Sequence, residues 1–375
     1  MDPFVMKILT FLLVIALMTS TVVTKRLHIE NKGNRAHATD AENNTKEDCN
    51  QDATGIRRVV HYDYSDPSLD CYREFFVGRQ PPQHLRPYYD GDIRYICQPP
   101  MPQPPAQQAQ QTYYATMFDE YLGIAVFSAY TLKRAAEARV TPRNVHSWCQ
   151  TPGIRTQGSN AMYQNVQYDK GHLVPGATYS KTQQRFDSTY TYTYTNAVPQ
   201  HNTFNGGKWS QFEKRIRKYA EKTCTKQLRV MMRGKLQLLR PGTLYLLTGT
   251  SFARIQELQN GDPQGYFPVG ANQIGTIDTG KIFVPNSLWT AGCCVRQNGQ
   301  FTRSFAVMGN NVETFHRNFL TRQITVAQLQ TILTADVNHF QLNNNIGGHN
   351  VDLFPADQNC LNNDLGVLPN AGVGR

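Results

Sequence analysis

The sequence predicts an α+β fold with a mixed, mainly antiparallel sheet and helices, and two observations support this class. Segments rich in β-branched and aromatic residues, which are typical of strands, occur both early and late in the chain. Between them lies a segment with helical periodicity at residues 208–222. Strands therefore precede and follow helices in mixed order, which favours α+β architecture.

The N-terminal residues predict a secreted, extracellular protein. Lys7 precedes an apolar run from Ile8 to Met18, and small residues follow, so we expect residues 1–24 to be a signal peptide. An uncleaved membrane anchor is the alternative. No other apolar run of the sequence is long enough to span a bilayer, so we expect no membrane partner for the mature chain.

Composition divides the rest of the chain. Residues 25–70 are polar and charged, which predicts a largely disordered segment with a glycosylation sequon at Asn43. We expect residues 71–375 to form one domain, whose 98–111 segment is a Pro/Gln-rich loop with polyproline character. An apolar content of 40% is enough for a core.

The eight cysteines agree with an oxidising compartment. An even count predicts up to four disulfides, with about 105 possible pairings. Disulfides are favoured over metal binding, because the sequence contains no Cys-x2-Cys pair. Cys293 and Cys294 are adjacent and are expected to bond elsewhere, because a vicinal ring is strained. We expect one bridge to join Cys71 and Cys97.

The net charge of +10 is concentrated in one segment. Between Lys208 and Arg240 there are eleven Lys or Arg residues and two Glu, a local net charge of +9. A solvated helix face would explain an isolated basic run. Beside the polar motif described below, the binding of a polyanion is favoured, and such binding is sensitive to salt.

The predicted elements follow in chain order. Tyr113–Phe118 and Gly123–Leu132 predict a hairpin. Thr189–Thr195 alternates Thr with Tyr, which predicts a strand whose tyrosines serve either base stacking or, as we favour, packing on the core. The helical segment has one apolar face: Trp209, Phe212, Ile216 and Tyr219. Three later strands and a short helix are expected at Leu244–Thr250, Ile282–Pro285, Ser304–Met308 and Thr325–Leu333.

One polar motif is the most informative feature of the chain. Asp169-Lys170-Gly171-His172 is followed at fixed offsets by four more polar residues: Asn196, Gln200, Asn205 and Glu213. A histidine accepts a proton near neutral pH, and amide and carboxylate oxygens suit Mg²⁺, which keeps most of its waters. The motif therefore predicts a site for one hard divalent cation, Mg²⁺ or Mn²⁺, together with a phosphate diester.

This motif resembles that of the DNA/RNA non-specific endonuclease family, the ββα-metal nucleases of the Serratia type. The family pattern is Asp-Arg-Gly-His, then Asn-x3-Gln-x4-Asn-x7-Glu, with a Trp four residues before the Glu, where this chain has Trp209. Lys170 departs from it, because Lys keeps the charge of Arg but lacks its planar fork. Flanking segments within roughly residues 71–360 also resemble the animal endonuclease domain-containing 1 proteins.

The resemblance implies a ββα-metal motif at the active site of a secreted, Mg²⁺-dependent endonuclease of DNA and/or RNA that leaves 5′-phosphates. His172 is expected to be the general base, Asn205 the metal ligand, and Glu213 the residue that orients the metal's waters. Arg143 is expected to clamp the phosphate. Three further residues are expected to bind the substrate: Lys170, Asn196 and Gln200.

Structural roles are the alternatives. Asn205 could cap a helix, Glu213 could pair with Arg217 one turn later, and Asn196 could hold a loop through backbone hydrogen bonds, as could Gln200. Asp169 is expected to orient its neighbours rather than to bind metal. For the chain as a whole, the rivals are a catalytically weak nucleic-acid-binding protein of the same fold and a secreted adhesion or immune module without chemistry. The oligomeric state does not follow from the sequence.

Overall fold

The computed structural model describes residues 65–68, 70–85, 92–98, 112–133, 148–178, 191–232, 234–257, 263–268, 272–296, 302–341, 350–362 and 368–369. The chain divides into two compact units, Met1–Asn43 and Asn44–Arg375, and every described residue belongs to the second. Several predictions lie outside the described residues: the signal peptide 1–24, most of the segment 25–70, the sequon at Asn43, the loop after residue 98, and Arg143.

The described part of the chain contains fifteen strands: β1 Ile93–Gln98, β2 Tyr114–Asp119, β3 Ile124–Leu132, β4 Tyr168–His172, β5 Ala197–His201, β6 Leu228–Met232, β7 Lys235–Leu239, β8 Thr243–Ser251, β9 Arg254–Glu257, β10 Pro263–Tyr266, β11 Asn272–Thr276, β12 Gly280–Val284, β13 Ser287–Val295, β14 Arg303–Asn310 and β15 Thr321–Ile324. Seven of them form one sheet in the order β1-β2-β3-β8-β13-β14-β15. All of its neighbouring strands run antiparallel. The remaining strands pair as hairpins: β4–β5, β6–β7, β9–β10 and β11–β12.

Helical elements are few: α1 Asp70–Arg73, α2 Asn202–Phe204, α3 Ser210–Tyr219, α4 Val326–Gln341 and α5 Asn359–Asn362, with 3₁₀ turns at Val77–Arg79, Ala161–Tyr163 and Tyr194–Asn196. Two π-helical turns flank α3: Asn205–Trp209 joins it to α2, and Ala220–Cys224 follows it. A large antiparallel sheet with a few helices confirms the predicted α+β class.

Local sequence signals explain two of the helices. α3 buries Phe212, Ile216 and Tyr219, which recur at helical spacing and so form one apolar face. α4 begins with a capping box, in which the Gln328 amide oxygen accepts from the Thr325 N–H and the Thr325 hydroxyl accepts from the Gln328 N–H. Both predicted helices are confirmed, although α4 continues to Gln341 rather than ending at Leu333.

The large sheet is covered on both faces, because its side chains alternate between two cores. Along β14, Phe305 and Val307 belong to the core that includes α3, whereas Ala306 and Met308 belong to the core that includes α4. All residues of β3 are buried, as expected for a strand covered on both sides. The polar motif is carried by β4, β5 and the helical stretch after β5, on the α3 side of the sheet.

The same alternation explains the disulfides. Adjacent residues of β13 point to opposite faces, so Cys294 bonds to Cys224 on the α3 side and Cys293 bonds to Cys360 on the α4 side. The prediction that these two cysteines bond elsewhere is confirmed, and so is the Cys71–Cys97 bridge. Cys149 is disulfide-bonded as well.

The prediction of a strand at Thr189–Thr195 is wrong for its described part. Residues 194–196 form a 3₁₀ turn, and Thr193 makes a single parallel bridge to Cys149. The alternation of Thr and Tyr arises from packing instead, since the rings of Tyr192 and Tyr194 lie 5.1 and 5.9 Å from that of Trp148. This supports the packing alternative over base stacking for these two side chains.

Candidate active site

The β4–β5 hairpin brings the two halves of the polar motif together. Its register pairs Asp169 with Gln200 and His172 with Ala197. Gly171 is needed here, because a Cβ at this position would lie closer than 3.0 Å to the buried side chain of Gln200. The Gln200 Nε2 donates to the backbone oxygen of His172 at 3.3 Å, whereas its Oε1 is buried with no hydrogen-bond partner in the described ranges.

His172, the last residue of β4, is held between aromatic rings. Its ring centroid lies 4.6 Å from those of both Trp148 and Tyr192. Its Nε2 is buried and has no hydrogen-bond partner in the part of the chain that the structure describes. Burial lowers the pKa of His172 to about 3, so the imidazole is neutral at physiological pH. The rings fix the orientation of the imidazole and leave Nε2 uncommitted.

Lys170 lies on the same face of β4 as His172, two residues earlier. Its Nζ donates to the Asn160 side-chain oxygen at 2.6 Å and lies 5.7 Å from the centroid of the Trp148 ring. A cation over an aromatic face is favourable. Lys170 therefore brings a positive charge to the ring that also contacts His172.

Asn205 lies on the other face of the hairpin, where the first π-helical turn begins. Its Nδ2 donates to Asp169 Oδ2 at 3.0 Å. This bond orients the amide and leaves Oδ1 as the atom that accepts. Asp169 therefore orients a neighbour, as expected. The N-cap alternative for Asn205 is not observed, because Asn205 lies inside a helical stretch that begins at Asn202 and continues into α3. A π-helical turn at this point is notable because such turns occur often at functional sites.

Glu213, in the first turn of α3, faces a small cavity lined mainly by apolar side chains. The cavity, of about 10 Å³, also contacts Tyr130, Arg217 and Thr248. Burial raises the pKa of Glu213 to about 7, against the opposing positive charges of Arg217 and Lys214. The Arg217 Nη1 lies 4.0 Å from the Glu213 carboxylate, so the predicted pair one turn apart is present.

Asn196 has a structural role, and its predicted substrate contact is not supported. The residue is fully buried, and its Nδ2 donates to the backbone oxygens of Val174 and Thr191. Its Oδ1 accepts from the Val174 N–H at 2.9 Å and from the Ser128 hydroxyl at 3.3 Å. Every hydrogen-bonding group of this amide is satisfied within the protein, so none is left for a substrate. The result is a fixed loop directly after His172.

The two faces of the hairpin are accessible from one place. An open depression of about 470 Å³ is lined by residues that flank β4: Asn160, Tyr163, Gln164, Tyr168, Asp169 and Lys170. Asp169 and Lys170 point to opposite faces of the strand, so the depression follows its edge. No described contact joins the His172 ring to the Asn205 amide directly. A ligand at this edge would contact Lys170 on one face and Asp169, the hydrogen-bond partner of Asn205, on the other.

The side chains of the site offer oxygen donors to a divalent cation. Within the described ranges, no group of three or more His, Cys, Asp or Glu side chains is placed to hold a metal ion. The Asn205 amide lies beside the Asp169 carboxylate instead, so amide and carboxylate oxygens are the donors available here. One or two such oxygens, with water in the other positions, fit Mg²⁺, which dehydrates reluctantly, and do not fit a thiolate- or imidazole-rich Zn²⁺ site.

Part of the site does not follow from the sequence motif. Trp148 and Tyr192 clamp the His172 ring, and Asn160 accepts both from Lys170 and from the Tyr194 hydroxyl. Trp148 precedes His172 by 24 residues, and no periodicity connects them.

None of the helices in the described ranges combines the length and the apolar character that crossing a bilayer requires.

The chain is similar to known nucleases in sequence and in structure. A family model described as DNA/RNA non-specific endonuclease matches residues 94–345. No protein with a curated description matches the chain. Among solved structures, the chain is similar to one from "Crystal structure of the EndoG/EndoGI complex: Mechanism of EndoG inhibition", with 14% identity, a TM-score of 0.47, and coverage of 69% of this chain and 91% of that one.

Proposed function

The chain belongs to the DNA/RNA non-specific endonuclease family, and on this premise we propose that it is a secreted, Mg²⁺-dependent endonuclease that hydrolyses phosphodiesters of DNA or RNA to leave 5′-phosphates. The observation that carries the proposal is the contrast between two motif residues. His172 Nε2 is buried without a partner, whereas every polar atom of the Asn196 side chain has one. Buried polar atoms are normally satisfied, so the exception suggests chemistry.

His172 acts as the general base. The neutral imidazole takes a proton from a water while that water's oxygen attacks phosphorus. The bond from phosphorus to the 3′-oxygen breaks, and the leaving 3′-oxygen takes up a proton from solvent. A pKa of about 3 describes the ring without substrate. A phosphate anion beside the ring raises this pKa, because negative charge favours the imidazolium. Basicity therefore increases when the substrate is in place.

Lys170 binds the phosphate diester at the edge of β4, and Gln200 positions the base. The Lys170 ammonium attracts a phosphate oxygen, and its contact with Trp148 keeps it near the base. Gln200 holds the backbone of His172 from the opposite strand, so its contribution is to position the base. Contacts to the phosphate backbone of a nucleic acid carry no sequence information, which fits low sequence specificity.

Asn205 would hold Mg²⁺ through its amide oxygen, with Asp169 orienting that amide and Glu213 accepting hydrogen bonds from the ion's waters. When bound, the ion supplies charge stabilisation for the phosphate and the leaving oxygen. The pKa of Glu213, raised to about 7, lies near neutral pH. A cation bound nearby would lower this pKa and so favour the ionised carboxylate.

A plasmid-nicking assay tests the proposal. Cleavage should require Mg²⁺, stop with EDTA, and fall by about 10²–10⁴ in His172→Ala. His339→Ala is the matched control, because His339 lies on α4, in the layer on the other side of the sheet, and stacks on Phe267. Plasmid that is retarded but intact would favour a weak binder. Absence of both cleavage and retardation would favour a module without chemistry, and cleavage that persists in His172→Ala would refute the assigned base.

A further inference from the structure

We propose that Phe315, with Arg317 two residues later, forms a subsite that stacks one unpaired base of the substrate strand a few nucleotides from the cleaved phosphate. This subsite rests on the proposed nuclease function and adds a preference to it. The chain would bind single-stranded or locally unpaired nucleic acid more tightly than a continuous duplex, because a paired base is already stacked between its neighbours.

Phe315 is the most exposed large apolar side chain in the described part of the protein. Its ring is 93% exposed, at the centre of the segment that joins β14 to β15. Single exposed apolar side chains are common on protein surfaces, so exposure alone identifies nothing. The position of the segment relative to the active-site motif is what gives the ring a function.

The segment between β14 and β15 is hydrogen-bonded to the elements that carry the motif. The Thr314 N–H donates to the Thr203 hydroxyl at 3.0 Å, and Thr203 lies in α2, two residues before Asn205. The Asn311 Nδ2 donates to the Pro199 backbone oxygen at 2.8 Å, in the middle of β5. The segment is thus attached to both β5 and the start of the predicted metal-binding turn.

Side-chain contacts lead from the depression at β4 to this segment. Tyr168 lines the depression, and its ring lies 6.0 Å from that of His201. The His201 Nδ1 lies 3.0 Å from the Thr203 hydroxyl, which also accepts from Thr314. Phe315 follows Thr314 directly. A strand that leaves the depression along these residues would reach the exposed ring within a few nucleotides.

The segment is also internally fixed. The His316 N–H donates to the Glu313 backbone oxygen at 2.9 Å, and the His316 ring accepts from the Asn318 N–H at 3.0 Å. Asn310, fully buried at the end of β14, donates to the Asn318 backbone oxygen at 2.7 Å. These bonds hold the tip in one conformation, so little conformational freedom is lost when a base binds.

The side chains at the tip match the chemistry of a nucleotide. An aromatic ring stacks on any base without reading its edge, and a guanidinium attracts the adjoining phosphate. Arg317 is exposed two residues after Phe315. Glu313 is the one acid in residues 311–320, and the positive charge of Arg317 offsets it.

The test uses the full chain carrying His172→Ala, in which cleavage should be slower by about 10²–10⁴, so that binding is measured on intact substrate. Fluorescence anisotropy gives the Kd for a labelled single-stranded 12-nucleotide DNA with Mg²⁺ present. Adding Phe315→Ala should raise Kd roughly five- to a hundredfold, Phe315→Trp should restore binding, and Phe315→Leu should not. Arg317→Ala should reduce the slope of log Kd against log salt by about 0.7. Ile277→Ala is the matched control, because Ile277 is 91% exposed in another turn, beside an acid, Asp278.

A set of oligonucleotides, each lacking one base, identifies the stacked position. Removing the stacked base should weaken binding by the His172→Ala chain as much as Phe315→Ala does. It should weaken binding no further when Phe315→Ala is already present. The subsite is refuted if Phe315→Ala binds as the parent does, or if Phe315→Leu binds as Phe315→Trp does. Normal cleavage by the wild-type chain together with either result rejects the subsite alone. Absence of any cleavage or binding by the wild-type chain rejects both the nuclease and the subsite.

Discussion

Substituting Gly171 by alanine tests how tightly the hairpin that carries His172 is packed. A Cβ at residue 171 would lie closer than 3.0 Å to three atoms of the Gln200 side chain. Gln200 is fully buried and therefore has little space into which to move. The substitution should break the bond from Gln200 Nε2 to the His172 backbone oxygen, because the amide must turn away.

The magnitude follows from two contributions. Overpacking a buried site destabilises by about 1–3 kcal/mol. The lost hydrogen bond adds about 1 kcal/mol. Gly171→Ala should therefore reduce the free energy of unfolding by about 2–4 kcal/mol, and kcat should fall because the backbone of the base is no longer held from β5.

A double-mutant cycle separates the clash from other effects. Gln200→Ala alone loses the same hydrogen bond and leaves a space beside Gly171. It should lower the free energy of unfolding by about 2 kcal/mol. In Gly171→Ala/Gln200→Ala the new methyl group enters that space, so the pair should be about 2 kcal/mol more stable than the sum of the single changes. The measurements are urea unfolding followed by tryptophan fluorescence, and initial rates on plasmid.

Gly206→Ala is the matched control for this cycle. A Cβ at residue 206 meets nothing within 4 Å, so its effect on the free energy of unfolding should stay within about 0.5 kcal/mol. If the two changes in the cycle add to within about 0.5 kcal/mol, or if Gly171→Ala is no worse than Gly206→Ala, the close packing of Gln200 on Gly171 is wrong.

Three further outcomes are expected. The folded pKa of about 3 for His172 makes stability rise with pH up to the ordinary value near 6.5, whereas the folded pKa of about 7 for Glu213 makes stability fall above the ordinary value near 4.5. In urea titrations of metal-free protein, the two contributions to the free energy of unfolding should change in opposite directions with pH between these ordinary values. The free energy of unfolding should therefore fall with pH in His172→Gln and rise with pH in Glu213→Gln. The same pH dependence in both variants would contradict the shifts. The Cys224–Cys294 disulfide closes a loop with a sequence separation of 70, so replacing both residues by alanine should lower the free energy of unfolding by about 4 kcal/mol. A change below about 1 kcal/mol would count against the bridge. Asn196→Ala should destabilise by about 3 kcal/mol or more with an unchanged KM, and a raised KM at unchanged stability would restore the substrate contact.

The parts of the fold that the sequence predicts are those set by local patterns. The apolar face of α3 and the capping box of α4 need only neighbouring residues, so both helices follow from periodicity and composition. The Thr189–Thr195 prediction fails because alternation does not specify what the tyrosines pack on. Trp148 supplies that surface, and tertiary packing overrides the local preference for a strand.

For the site, the spacing of the motif predicts which residues lie near one another but not what each side chain does. Asn196 and Gln200 both follow the pattern, and both are fully buried. Their roles depend on distant partners, such as Ser128, 68 residues before Asn196. Phe315 carries no motif at all, and only the attachment of Thr314 to Thr203, 111 residues apart, relates it to the site.

Hydrogen-bond satisfaction distinguishes the two kinds of motif residue. Asn196 stabilises the loop after His172 because all its polar groups are paired inside the protein. His172 Nε2 and Gln200 Oε1 are buried and unpaired in the same hairpin, at a free-energy cost that a purely structural role would not require. A ligand that supplies the missing partners recovers this cost on binding. The motif is thus divided between residues that build the hairpin and residues that the hairpin holds ready for a ligand.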